Sequence, residues 1–359
     1  MKALNILFAS RSIESPATEG GFVLLKDIAS EICNDPAFDV AMLSSSRESV
    51  NNIRPEKVFS KNGWSKQSQM QFPYGVWKKS RQYNIVHTAH IPTLKNAYIL
   101  KRTTKKAQAS GTKFLQTITG MPKIADNKID SLLWGDHIVA QSPEIYRRIT
   151  KQTYRPVSMI TPWPSPSRIE IDDRRIKTER AKLLDNKEQK LIVFPGEFRR
   201  LGVTEEFSAC IDKILARSPN TKIVLACRFD KDGIGTRLAE KYPKKVISVA
   251  ETTNILDLLN MADLVIYPAK TTQSKFQPPL VIMEALSMGT PVIVSSNLDI
   301  ETDCHRLLAN TNIGKAWTTF SNEINEQLLA KKGGEKYQKN EFYSMIDEYK
   351  SVYSHIMKG

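Results

Sequence analysis

The sequence predicts an α/β protein of two domains, each built on a doubly wound parallel sheet. Three observations carry this expectation. Short apolar runs of strand length alternate with amphipathic stretches of helix length, the pattern of parallel sheets covered by helices on both faces. At 359 residues the chain exceeds one ordinary hydrophobic core. The segment Thr161-Pro162-Trp163-Pro164-Ser165-Pro166, stiffened by three prolines, lies between two such alternations and reads as a linker. The expected domains are 1–163 and 164–339, with a terminal helix over 340–359.

Residues 2–10 read as the first strand. A loop over 11–19 and the pair Gly20-Gly21 lead into a helix with Phe22, Leu25, Ala29 and Ile32 on one face. A glycine-containing loop between strand and helix lets backbone approach a ligand closely, which makes Gly20 and Gly21 candidate binding residues; a tight turn is the plainer reading. Further strands are expected at 38–44, at 84–87 (ending in Thr88-Ala89-His90), at 113–119 before Gly120, and at 136–141. Residues 94–108 read as a basic helix, and Ser142-Pro143-Glu144 opens another with a capping hydroxyl and a proline in the first turn.

After the linker and a polar helical stretch, residues 191–196 open a second sheet, continued by strands at 222–226, 246–249, 264–267 and 292–295. Helices are expected between them at 204–216, 236–241 and 254–261. Phe342, Ile346, Tyr349, Val352 and Tyr353 mark a last helix over 340–357.

The stretch 275–296 is the most informative. Pro278 and Pro279 suit a first helical turn, where amide hydrogens lack partners anyway. Residues 280–288 are apolar nearly all round, hence buried. Gly289 can take the left-handed position past the helix end, Pro291 stops it, and Val292 begins a short buried strand. Glu284 conflicts with this setting, because a buried carboxylate without hydrogen-bond partners costs several kcal/mol. It either serves a ligand or pairs with a nearby arginine or backbone amide. The helix N-terminus offers the amides of Leu280 and Val281 and about half a positive charge, which suits phosphate.

Glu284 followed by Ala285 and Gly289-Thr290-Pro291-Val292-Ile293 resembles the donor-binding helix of family 4 glycosyltransferases of the GT-B fold. That family carries Glu-x7-Glu, and its second glutamate accepts hydrogen bonds from the nucleotide ribose; Phe276 stands at the first glutamate's place. Two strands are similar as well: Asp136-His137-Ile138-Val139-Ala140-Gln141-Ser142, and Met261-Ala262-Asp263-Leu264-Val265-Ile266-Tyr267-Pro268. The resemblance implies two Rossmann-like domains facing a cleft, a last helix packing back on the first domain, and a nucleotide-diphosphate sugar as donor. It also implies a retaining mechanism that needs no metal or other cofactor.

In the family an Arg and a Lys between two glycines hold the diphosphate. Here Gly196-Glu197-Phe198-Arg199-Arg200-Leu201-Gly202 is about one residue shorter, so that Glu197 and Leu201 stand at those places. Arg200, then Arg199, are the expected diphosphate ligands, since Arg grips phosphate in bidentate fashion. Thr119, before Gly120, stands where the family often has a histidine near the transferred sugar, and His87 and His90 are alternatives at another strand end. The expected catalytic residues are Arg200, Glu284 and Thr119. The expected donor site is Gly20, Gly21, Gly196, Arg199, Arg200, Lys275, Leu280, Val281 and Glu284.

Of the net charge of +14, residues 1–163 hold 23 basic and 12 acidic side chains, and the remainder is nearly balanced. Residues 57–125 contain 13 Lys or Arg and no Asp or Glu, so this domain is expected to attract an anionic partner. Trp64 and Trp77 among Lys78, Lys79, Lys101, Arg102, Lys105 and Lys106 suit an anionic membrane or a phosphorylated acceptor. Nucleic acid is disfavoured, because no recognised motif for it is present. Cys33, Cys210, Cys227 and Cys304 are far apart, which argues against a disulfide framework or a zinc site and fits a reducing cytoplasm. No apolar run approaches the roughly 18 residues needed to cross a bilayer.

The expectation is therefore a retaining glycosyltransferase moving a hexose-type unit to a glycan or lipid-linked saccharide at the inner face of a membrane. The competing readings are a non-catalytic, sugar-binding subunit of the same fold and a GT-B epimerase or phosphorylase.

Overall fold

The computed structural model describes residues 3–14, 19–50, 52–61, 65–170, 172–204, 207–227, 230, 232–249, 255–269, 277–294 and 340–358. They form two units, one of Met1–Ser165, Gln273–Pro279 and Asn340–Gly359, the other of Pro166–Thr272 and Leu280–Lys339.

The first unit holds a wholly parallel sheet of β1 (Leu4–Phe8), β2 (Phe38–Ser44), β3 (Arg54–Lys57), β4 (Ile85–His90), β5 (Lys113–Ile118), β6 (His137–Ala140) and β7 (Val157–Met159), in the order β3-β2-β1-β4-β5-β6-β7. Its central strands are buried along most of their length, as sheets covered on both faces require. The edges β3 and β7 were not legible in the sequence. β3 reads Arg-Pro-Glu-Lys, with no apolar alternation to mark it, and its Pro55 suits an edge strand.

Helices α1 (Gly20–Ile32), α2 (Lys66–Lys79), α3 (Leu94–Gln108) and α4 (Pro143–Thr150) connect these strands. Gly20 and Gly21 are the first residues of α1, not a tight turn before it. Polar α2 contains Pro73, which hid it from a periodicity reading, yet Ser65 and Ser68 close a reciprocal capping box at its start. Asp136 pins the strands beside it: its carboxylate accepts from the Phe114 N–H at 2.7 Å and the Gln108 amide at 3.1 Å.

In the second unit β8 (Lys190–Pro195), β9 (Thr221–Ala226), β10 (Val246–Val249), β11 (Leu264–Tyr267) and β12 (Val292–Val294) form a parallel sheet in the order β10-β9-β8-β11-β12. The helices are α5 (Pro166–Ile169), α6 (Asp173–Leu183), α7 (Phe198–Leu201), α8 (Phe207–Arg217), α9 (Ile234–Lys241), α10 (Ile255–Met261) and α11 (Leu280–Ser287). Asp263 repeats the role of Asp136. It accepts from the Leu191 N–H at 2.8 Å and pairs with Arg180 at 2.6 Å, tying β8 to β11.

Helix α12 (Asn340–Lys358) belongs to the first unit. Tyr349 and Tyr353 are fully buried there. The Tyr353 hydroxyl lies 2.8 Å from His87 Nδ1, and His87 Nε2 lies 2.8 Å from the Thr117 hydroxyl. Thr117 in turn reaches Tyr349 at 3.4 Å. The segment Gln273–Pro279 also goes with the first unit rather than the second, where the sequence reading put it. The Gln277 N–H donates to the Thr119 carbonyl at 2.8 Å, a bond that anchors the end of this segment.

Burial pushes His87 down to about 3 and His90 to about 4, below the unperturbed value of 6.5. Both folded values lie below the unfolded one, so the unfolded chain takes up these protons first. Their contribution to stability is complete above pH 6.5 and is lost as pH falls toward 3–4. Each histidine is expected to lower the unfolding free energy by about 2 kcal/mol between pH 7 and pH 5. Urea denaturation at the two pH values checks this, and His87→Asn and His90→Asn should each flatten the dependence.

Candidate functional site

In each sheet the strand order reverses once, between β1 and β4 and between β8 and β11. Connections leave such a point in opposite directions, and ligands of open α/β sheets bind beyond the carboxyl ends of the strands there.

At the second unit's switch point β8 runs into Gly196, whose φ of 149° suits glycine. A Cβ there would lie 2.8 Å from Leu201 Cδ1 and 3.7 Å from the Tyr267 ring at the end of β11. The following segment is the short helix α7, closed by left-handed Gly202. Phe198 is buried and stacks on Phe194 with centroids 4.8 Å apart, leaving Arg199 and Arg200 exposed. Arg200 lies 3.6 Å from Glu197, and Leu201 is buried rather than offering a second side chain to solvent. Burial pushes the Tyr267 hydroxyl up to about 12; the Arg200 charge opposes the shift and Glu197 adds to it.

Helix α11 starts at Leu280 as expected, but Pro278 and Pro279 precede it and do not form its first turn. Leu280, Ile282, Met283, Glu284, Ala285 and Leu286 are buried, and Val281 is half-buried. Gly289, with φ 76°, supplies the left-handed residue past its end. Glu284 is 5% exposed, and its Oε1 accepts from Nη1 of Arg168 on α5. A buried carboxylate thus has the arginine partner that its setting demands. No sequence pattern singles out Arg168; only the need of Glu284 for a cation pointed to such a residue.

At the first unit's strand ends Gly21 and Thr119 come together. A Cβ on Gly21 would lie 3.3 Å from the Ala89 carbonyl and 3.5 Å from Thr119 Cγ2. Thr119 is buried, and its N–H donates to the His90 carbonyl at 3.3 Å. His90 stacks on Trp134 with centroids 6.3 Å apart. The two histidines therefore separate: His87 is locked inside the contact with α12, whereas His90 ends β4 beside Thr119.

Lys275 and Trp64 lie outside the described residues. Trp77, Lys78, Arg102, Lys105 and Lys106 are exposed. Lys79 and Lys101 are not available in the same way. Lys79 pairs with Glu56 at 2.7 Å, and Lys101 donates to the Asp130 carbonyl at 3.2 Å. Among the described residues no group of three or more His, Cys, Asp or Glu is placed to hold a metal ion.

Residues 189–317 match the family model described as Glycosyl transferases group 1. Solved structures similar over nearly the whole chain include HepE of Anabaena with UDP and glucose, at 12% identity, 98% of this chain and 99% of that one, and TM-score 0.69. A glycosyltransferase from Rickettsia africae matches at 14% identity over 100% of both chains, with TM-score 0.65. WaaG, a glycosyltransferase involved in lipopolysaccharide biosynthesis, matches at 14% identity over 95% of this chain and 93% of that one, with TM-score 0.57. The fold is that of the GT-B glycosyltransferases. The stretch that matches the family model contains Gly196, Arg199, Arg200 and Glu284. No curated protein sequence matches the chain.

The Arg168–Glu284 pair is expected to be mutually stabilising. Glu284→Ala leaves the guanidinium without its carboxylate in a mostly buried setting and should cost about 2–3 kcal/mol. Arg168→Ala should cost a similar amount, and the double variant should recover part of the summed loss. Urea unfolding of the three variants measures the coupling; simple additivity would rule it out.

Proposed function

We propose that the chain is a retaining family 4 glycosyltransferase that moves a hexose-type sugar from a nucleotide-diphosphate donor to a glycan or lipid-linked saccharide. The observation that carries this reading is Glu284, a buried carboxylate on the apolar helix α11 inside the stretch that matches the family model. A ribose diol presents two hydroxyl donors, and a carboxylate is the natural acceptor for both. The amides of Leu280 and Val281 suit the diphosphate at the helix N-terminus. Exposed Arg199 and Arg200 supply positive charge for the leaving nucleoside diphosphate as its bond to the sugar breaks. The first unit, with Gly21, His90 and Thr119 at its strand ends, serves the acceptor sugar and the transferred unit.

HepE has been solved with UDP and with UDP-glucose, which makes UDP-sugars the first donors to try. The reaction proposed needs no metal or other cofactor. Its setting is cell-surface polysaccharide or glycolipid synthesis, with the protein peripheral on the cytoplasmic face of the membrane. The pair between Glu284 and Arg168 favours the second reading, a sugar-binding subunit without catalysis, to the extent that the carboxylate is committed to its own unit.

A panel of UDP-, GDP- and ADP-sugars decides between them. Transfer or slow hydrolysis of one donor, with inversion and epimerisation absent from the products, is the expected result. Glu284→Ala, if folded, should weaken binding of that nucleotide by about 1.5–3 kcal/mol, roughly 10- to 150-fold, by calorimetry. Unchanged affinity in the folded variant would falsify the role given to Glu284.

A further inference from the structure

Helices α2 and α3 pack against each other in the first unit, and each turns an apolar stripe away from the sheet. The inward face of α2 is Ser68, Phe72, Gly75 and Val76. Gly75 sits so close to the core that a Cβ would lie 2.4 Å from Val58 Cγ1. On the opposite face Met70, Tyr74 and Trp77, respectively 79%, 50% and 46% exposed, recur at helical spacing. Their rings and charges are in contact: Tyr74 and Trp77 have centroids 5.8 Å apart, and the Lys78 ammonium lies 5.7 Å from the Tyr74 ring.

Helix α3 repeats the arrangement. Ala97, Leu100, Thr104 and Ala107 face inward, while Leu94 (49% exposed) and Tyr98 (57%) face solvent with Arg102 and Lys105. The Arg102 guanidinium lies 4.8 Å from the Tyr98 ring. Five of the nine large exposed hydrophobic side chains among the described residues belong to these two helices. An even scatter would need no account; this concentration does. It falls inside the stretch 57–125, which has no acidic residue.

We infer that the outer face of α2 and α3 docks on an anionic lipid bilayer. Met70, Tyr74, Trp77, Leu94 and Tyr98 enter the boundary between headgroups and acyl chains, and Lys78, Arg102, Lys105 and Lys106 meet the lipid phosphates. A bilayer is favoured because it supplies an apolar layer and a sheet of negative charge together, which is what this face matches. Single-stranded nucleic acid would use the aromatic and basic residues but leave Met70 and Leu94 without purpose. The docking deepens the peripheral placement proposed above; it uses none of the donor-site residues and needs no donor or activity, so it can fail while sugar transfer stands.

Flotation of the full chain with vesicles tests it. Binding is expected to phosphatidylcholine vesicles containing phosphatidylglycerol at low salt, not to phosphatidylcholine alone, and is expected to fall at high salt. Arg102→Gln, Lys105→Gln and Lys106→Gln should each weaken partitioning roughly five-fold. Tyr74→Ser with Trp77→Ser should abolish it while the thermal unfolding midpoint stays in place. Absence of flotation with the anionic vesicles at low salt overturns the inference. So does equal binding by the aromatic double variant, tighter binding to a single-stranded oligonucleotide than to vesicles, or a solution dimer that the double variant dissociates.

Discussion

Every strand in both sheets runs the same way, and that constraint organises the molecule. A parallel sheet needs a crossover between consecutive strands, so helices cover both faces and all strand ends with free backbone amides collect on one edge. Where the strand order reverses, the helices part and leave room at that edge. Gly21 and Thr119 in one unit, and Gly196, Arg199 and Arg200 in the other, sit there for this reason. The same constraint explains the two aspartate-containing strand motifs. Asp136 and Asp263 accept backbone N–H groups from the strands beside them, Phe114 and Leu191, and so fix the register of the sheets near their amino ends. Their resemblance to family motifs is thus a matter of fold maintenance, with the chemistry left to the opposite edge.

Buried strands and apolar helices were legible because burial on both faces writes itself as runs of Val, Ile and Leu. β2, α3, β10 and β11 coincide with their sequence-read bounds, and α11 with its glycine stop falls one residue short of them. The misses share one cause: elements whose sequence pattern is set by an edge or a solvent face. β3 carries Pro55, and α2 is polar with Pro73 inside it. α7 is a single turn defined by the stacking of Phe198 on Phe194 and by left-handed Gly202, neither of which leaves a periodic trace. Contacts distant in sequence were equally silent. Arg168 reaches Glu284 across 116 residues, and the hydrogen bond from Gln277 to Thr119 carries the segment before α11 into the first unit.

Charge and packing divide the labour between the units. The second unit binds its own acidic groups tightly: Asp263 with Arg180, Asp257 with Arg175, Glu284 with Arg168. Its net charge is correspondingly small. The first unit keeps much of its positive charge unpaired by carboxylates between residues 57 and 125, where Lys79 with Glu56 is an exception. Unpaired charge of one sign destabilises a compact chain through self-repulsion. The interior compensates elsewhere, through the apolar sheet and the buried contacts of His87, Thr117, Tyr349 and Tyr353 that hold α12 in place.

Whether the second unit's carboxylate serves a ligand turns on what Arg168 leaves it. A carboxylate has two oxygens and about four lone-pair directions, and the Arg168 Nη1 donates to one oxygen. An arginine in that position does two opposed things. It offsets the cost of burying a carboxylate on an apolar helix, and it also occupies hydrogen-bonding capacity that a ribose diol would use. The first effect follows from the burial of Glu284 alone, which is 5% exposed. The second operates only on ligand binding and can be relieved by a small rotation of a side chain that is itself 21% exposed. A residue needed only for packing would be met more simply by Leu or Met at this place on α11, since replacing a buried ion pair by apolar side chains is often neutral or stabilising. A charged pair midway along a largely apolar helix is what the proposed role of Glu284 as a ribose ligand rests on.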